Sequence, residues 1–81
     1  MLKNFTALYM KLEHGYMGKI LEWPGVITEG NDLEDCEEML TDAAHEMMLG
    51  YKDEGLKIPN TSIIVKPISI PIDEEMLENA G

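Results

Sequence analysis

Few side chains in this sequence could do chemistry, and their spacing favours binding over catalysis. His14 and His45 are the two histidines and Cys36 is the sole cysteine. A reactive thiol should be exposed and electropositive, so that the thiolate persists. Cys36 falls instead on the apolar stripe of an expected helix, where a thiol behaves as a small hydrophobe. One cysteine allows neither an intrachain disulfide nor a cysteine-rich zinc site, and no His/Cys cluster has metal-ligand spacing. Carboxylates number sixteen, so their abundance alone says little. A two-metal nuclease needs acids converging at strand ends, and the first expected strand has none between Phe5 and Leu12. Gly30-Asn31-Asp32 opens the helix but runs into further acids, which would repel a phosphate. The expectation is a protein that is not an enzyme, with no catalytic, metal or cofactor residues.

The formal net charge is −10, and all six basic residues are lysines. Chains that grip nucleic acid usually present basic patches with arginine contacts to phosphate and guanine. This balance argues against direct binding to nucleic acid or anionic membranes and would attract cationic partners. On a helical wheel Asp35, Glu38, Asp42, Glu46 and Asp53 fall opposite the apolar stripe, with His45 and Leu49 among them. The pairs Glu38–Asp42 and Asp42–Glu46 are like charges at i,i+4, each costing the helix about 0.2–0.5 kcal/mol. That face is either simply solvated or a docking stripe for a basic partner. Trp23 and Tyr16 carry a similar ambiguity between core and interface, since Trp is enriched at binding hot spots. The candidate partner surface is therefore Tyr16, Trp23, Asp35, Glu38, Asp42, Glu46 and Leu49. Met39 and Met48 flank the stripe and could face a second subunit.

The elements that must position these residues follow from periodicity. Phe5 to Glu13 alternates, with apolar residues on both sides, and reads as a strand. His14-Gly15 suits a tight turn, and Tyr16 to Glu22 a second strand. Trp23-Pro24-Gly25 predicts a type II turn, followed by a short strand from Val26 to Glu29. Asn31 is the expected helix N-cap, with Glu34 completing a capping box. The apolar stripe Leu33, Cys36, Leu40, Ala43, Ala44, Met47 and Tyr51 carries the helix from about Asp32 to Glu54, and Gly55 ends it. Ser62 to Ile70, rich in Ile and Val, predicts a fourth strand, with Pro67 placing it at an edge or a bulge. The class is α+β, β-β-β-α-β: a four-stranded mixed sheet with one long helix on one face and nothing to cover the other. The domain spans 1–72, and 73–81 form an acidic tail, either one helical turn or mobile.

Eighty-one residues make one domain. A domain this small buries only roughly 60% of its unfolded-chain surface, so association into a dimer or tetramer is expected. No signal peptide precedes the first strand, and no stretch approaches the roughly 20 apolar residues of a membrane span. With a single cysteine, these features fit a reducing, cytoplasmic setting.

Three stretches together resemble a known family. Gly15-Tyr16-Met17-Gly18-Lys19-Ile20-Leu21-Glu22-Trp23-Pro24-Gly25-Val26 is similar to the second and third strands of HicB-type antitoxins. Thr28-Glu29-Gly30-Asn31-Asp32-Leu33-Glu34-Asp35-Cys36 resembles their turn and helix start, and Gly55-Leu56-Lys57-Ile58-Pro59 their exit from the helix. The resemblance spans about residues 5 to 70. Val26 stands for the family's frequent Cys and Cys36 for its frequent Ala, so both positions stay small and apolar. The resemblance implies a partial ribonuclease H-like fold without a nuclease site. It also implies a partner: a small basic HicA-type ribonuclease toxin of double-stranded-RNA-binding-domain type, whose RNA surface is masked on binding. Many members carry a DNA-reading segment after this domain. Here only a short acidic tail, Pro71 to Gly81 with Asp73, Glu74, Glu75 and Glu78, follows the fourth expected strand, so the expectation is the toxin-neutralising part without operator binding. The alternative is a stand-alone regulatory or structural oligomer that keeps the fold and has no toxin.

Overall fold

The computed structural model describes residues 1–78. Residues 79–81 of the expected acidic tail lie outside them. The chain runs β1 (Ala7–Lys11), β2 (Tyr16–Ile20), β3 (Trp23–Gly30), α1 (Leu33–Glu54) and α2 (Glu74–Glu78). The three strands form one antiparallel sheet in the order β1-β2-β3. The class is α+β as expected, but the sheet has three strands among the described residues, not four, and is antiparallel, not mixed. Ser62 to Ile70 forms no strand and has no strand partner. Its Ile and Val content suits a pleated sheet, but strand propensity becomes structure only where a neighbour supplies the ladder.

The β1–β2 turn forms where expected. Gly15 adopts φ 86°, a left-handed conformation that glycine reaches without steric cost. The next turn differs from the expectation. It falls at Leu21-Glu22, and Trp23-Pro24-Gly25 opens β3 instead of interrupting the chain. A type II turn there would need positive φ at Gly25, which Gly25 lacks. Two contacts favour the observed solution. The Glu22 carboxylate accepts from the Thr6 backbone N–H and the Thr6 hydroxyl, both at 2.7 Å, which ties the turn to the start of β1. The register shift beside Ile20, which pairs with Trp23 while Lys19 pairs with Ile27, lets both Trp23 and Val26 reach the core.

The helix cap lies one residue later than Asn31. Asp32 is the N-cap: its carboxylate accepts from the Asp35 N–H at 2.7 Å, and the Asp35 carboxylate accepts from the Asn31 N–H at 2.8 Å. This is the reciprocal logic of a capping box, built with Asp35 where Glu34 was expected. At the other end Gly55 has φ 71°. Its N–H donates to the Lys52 carbonyl, and the Leu56 N–H donates to the Tyr51 carbonyl, the paired bonds of a Schellman stop.

The core lies between α1 and one sheet face. Ile20, Trp23, Val26, Cys36 and Leu40 are buried, with Phe5, Tyr9, Ala43, Ala44, Met47, Met48, Tyr51 and Ile58 packed partly against them. Trp23 is central: its ring lies 5.9 Å from Phe5 and 4.9 Å, edge-on, from Tyr51. The helix approaches the sheet closely at Gly18 and Gly30. A Cβ on Gly18 would press on the Cys36 sulfur and the Tyr9 ring, and one on Gly30 would collide with the Cys36 backbone.

Candidate partner-binding surface

The same packing leaves two surfaces open. The first is the outer face of α1. Glu38, Asp42, Glu46 and Leu49 are exposed there, as are Glu34, Glu37 and Asp53. Glu34, Glu37, Glu38, Thr41 and Asp42 line a shallow depression. Thr41 turns its hydroxyl back to the Glu37 carbonyl at 2.9 Å, which leaves the carboxylates as the outward groups. Asp35 belongs to this face by sequence but is half-buried and engaged in the cap. Lys52, in the last turn, is the helix's lone basic residue. The face is thus a dense anionic strip on a rigid element.

The second surface is the sheet face turned away from the helix. Gly18 faces the Cys36 sulfur and the Tyr9 ring, and Tyr9 packs against the core, so the alternate residues Leu8, Met10, Met17 and Lys19 point the other way. The register places Leu8 beside Lys19 and Lys19 beside Ile27, and Met10 beside Met17 and Met17 beside Glu29. Leu8, Met10 and Ile27 are exposed. This is the uncovered face that the strand pattern implied, now with its residues named.

The remaining candidates sit elsewhere. Trp23 is 3% exposed and works as the core's centrepiece, so it offers no surface to a partner. Met48 is half-buried against the core while Met39 is exposed. Tyr16 is half-buried at the sheet end, with the Lys11 ammonium 5.0 Å from its ring centroid. Its carbonyl accepts from the Cys36 thiol at 3.7 Å. Burial, with Asp35 and Glu29 nearby, pushes that thiol's pKa above the ordinary range, so it stays protonated and shielded. Burial, with Glu37 and Cys36 adding to it, likewise raises the Tyr9 phenol. Glu22 shifts the other way: the two Thr6 hydrogen bonds stabilise its carboxylate and lower its pKa. Among the described residues no group of three or more His, Cys, Asp or Glu side chains is placed to hold a metal ion, and no helix is long and apolar enough to cross a membrane.

The described residues thus form a small α+β domain with one long helix on a three-stranded antiparallel sheet, strongly acidic and with an uncovered apolar face. The chain matches the UPF0150-like family model over residues 5–59 and belongs to that family, one of small proteins related to HicB-like antitoxins. The match covers all three strands, the helix and its Gly55 stop. Neither a curated protein nor a solved structure gives a significant match.

Proposed function

We propose that this protein is an antitoxin-like binding module that sequesters a basic HicA-type mRNA-cleaving toxin and acts by binding, not catalysis. The observation that carries the reading is the anionic strip on α1: Glu34, Glu37, Glu38, Asp42 and Glu46 are exposed on one rigid helix in a chain of net charge −10. A ribonuclease of this kind holds RNA through cationic groups. Carboxylates at helical spacing compete for those groups, and complementary potentials speed encounter while rejecting anionic competitors. Leu49, exposed within the strip, would add apolar contact. Family membership supports the reading, and the acidic charge argues against direct operator binding.

Co-expression tests it. A toxic HicA-type ribonuclease encoded beside this reading frame should lose its toxicity when the chain is present, and the two should co-purify. Reversing charge on exposed positions with D42K and E46K together should weaken the complex at least about tenfold, chiefly through slower association. Folding should be unaffected. Full toxicity with the wild-type chain present and folded would remove the reading.

A further inference from the structure

Past α1 the chain leaves the body of the molecule. Ile58 still packs against the core, and the Lys3 ammonium donates to the Asn60 side-chain oxygen at 2.9 Å. Beyond that point Ile64, Val65, Ile68, Ile70 and Ile72 are 83%, 70%, 79%, 67% and 55% exposed. Among the described residues no backbone hydrogen bond ties residues 61–72 to the sheet. The radius of gyration is 16.5 Å, against about 12 Å for a compact chain of this length.

The sequence of this arm is patterned for one kind of pairing. In an extended strand, successive side chains point to opposite faces and successive backbone groups to opposite edges. Ile64, Ile68, Ile70 and Ile72 share one parity, with Lys66; Pro67 and Pro71 share the other. One edge therefore lacks two N–H donors, while the opposite edge keeps all of its own. Such a strand can add to a sheet along a single edge, with prolines facing solvent, and it carries four isoleucines on one face.

A matching edge is open on β1, an outer strand of the sheet. The Thr6 carbonyl accepts from the Leu21 N–H, and the Leu12 N–H donates to the Gly15 carbonyl, each at 2.9 Å. Those residues face β2, so the backbone groups of Ala7, Tyr9 and Lys11 turn outward. We propose that residues 62–72 are an exchange arm, and that in a two-fold dimer each arm adds to the β1 edge of the second copy. Three features commit it to a second copy. The arm's root at Asn60 lies beside the chain leading into its own β1, yet among the described residues the arm makes no ladder with that edge, which leaves the same edge open to the arm of a second copy. Between Ile58 and Ile72 the sole charged residue is Lys66, and between Phe5 and Leu12 it is Lys11. Arm and edge are thus free of the carboxylates that elsewhere would repel a like copy, and neither attracts a cationic partner. Each arm leaves Ile64, Val65, Ile68, Ile70 and Ile72 more than half exposed, and adding two arms to two sheet edges buries these side chains together with the receiving surfaces, as a stable dimer needs.

This goes beyond the toxin reading and is tested on the purified full chain with no toxin present. Sedimentation over a concentration series should show a dimer. Lys66→Pro deletes a donor on the pairing edge and should weaken the dimer at least about tenfold. Ser69→Pro deletes one on the solvent edge and should leave the dimer within about twofold. I68D with I70D should yield a monomer with unchanged helix content, a control because both side chains are exposed in the isolated chain. A wild-type monomer at tens of micromolar overturns the proposal, and so does a dimer that neither K66P nor the aspartates weaken. Equal loss with both prolines overturns the assignment of the edge.

Discussion

Gly30→Ala and Gly50→Ala add the same methyl group and should move stability in opposite directions. At Gly30 the new Cβ would collide with the backbone of Cys36. Only Asn31 and Asp32 separate β3 from α1, and Cys36 is fully buried with its sulfur held by the Tyr16 carbonyl. Neither element can retreat without opening the core, so the cost sits at the upper end of the roughly 1–3 kcal/mol typical of overpacking. At Gly50, inside α1, nothing lies within 4 Å of the added Cβ. Alanine there should stabilise by about 0.5–1 kcal/mol, because glycine loses more backbone freedom in a helix. Urea unfolding followed by helical circular dichroism reads both. With a slope of roughly 1 kcal/mol per molar for a small domain, G30A should lower the midpoint by about 2–3 M and G50A raise it by about 0.5–1 M. Protein concentration must be held fixed, since association adds stability by mass action. A G30A midpoint within about 0.5 M of wild type, or shifts of the same sign, would refute the account of how α1 docks on the sheet.

Leu40→Ala, at a site 2% exposed, should cost about 2–5 kcal/mol and leave the isolated chain largely unfolded in the same assay. Asp32→Ala removes the N-cap bond and should cost about 1 kcal/mol; a loss below about 0.3 kcal/mol would mean that Asp35 caps the helix alone. Glu22 has a lowered pKa, so its contribution is present above the ordinary glutamate range and is lost as pH falls through its folded value. The stability difference between wild type and E22Q should therefore shrink on acidification below that range, and a difference flat with pH would contradict the Thr6 bonds. Cys36 should resist a thiol reagent in the folded protein and react once urea unfolds it; rapid labelling of the native chain would place it outside the core.

The parts of this fold legible in the sequence are those set locally. The apolar stripe through Cys36, Leu40, Met47 and Tyr51 and the Gly55 stop sufficed for α1, and His14-Gly15 for the first turn. The cap was misplaced by one residue because Asn31 and Asp32 are both good caps, and the choice falls to Asp35, which reaches back to Asn31. Pro24-Gly25 misled for a different reason. Burying both Trp23 and Val26, and the grip of Glu22 on Thr6, outweigh the turn preference of that dipeptide, and these are contacts between residues distant in the chain. The fourth strand shows the same limit most clearly. Ile64 to Ile72 has every local mark of a strand, yet it pairs with no edge of its own copy. For the candidate surface, the acidic positions Glu38, Asp42 and Glu46 were readable from helical spacing. Trp23 was not, because its side chain is drawn inward by a register shift that no periodicity announces.

The central claim is that the anionic strip of α1 occupies the RNA-binding surface of a basic ribonuclease. Titrating the purified chain into a HicA-type toxin cleaving a labelled mRNA tests it most directly. Cleavage should fall to background near stoichiometric addition of the wild-type chain, and should need far more of the D42K, E46K variant. Unchanged cleavage at a large excess of folded wild-type chain, or equal inhibition by both proteins, would contradict the account.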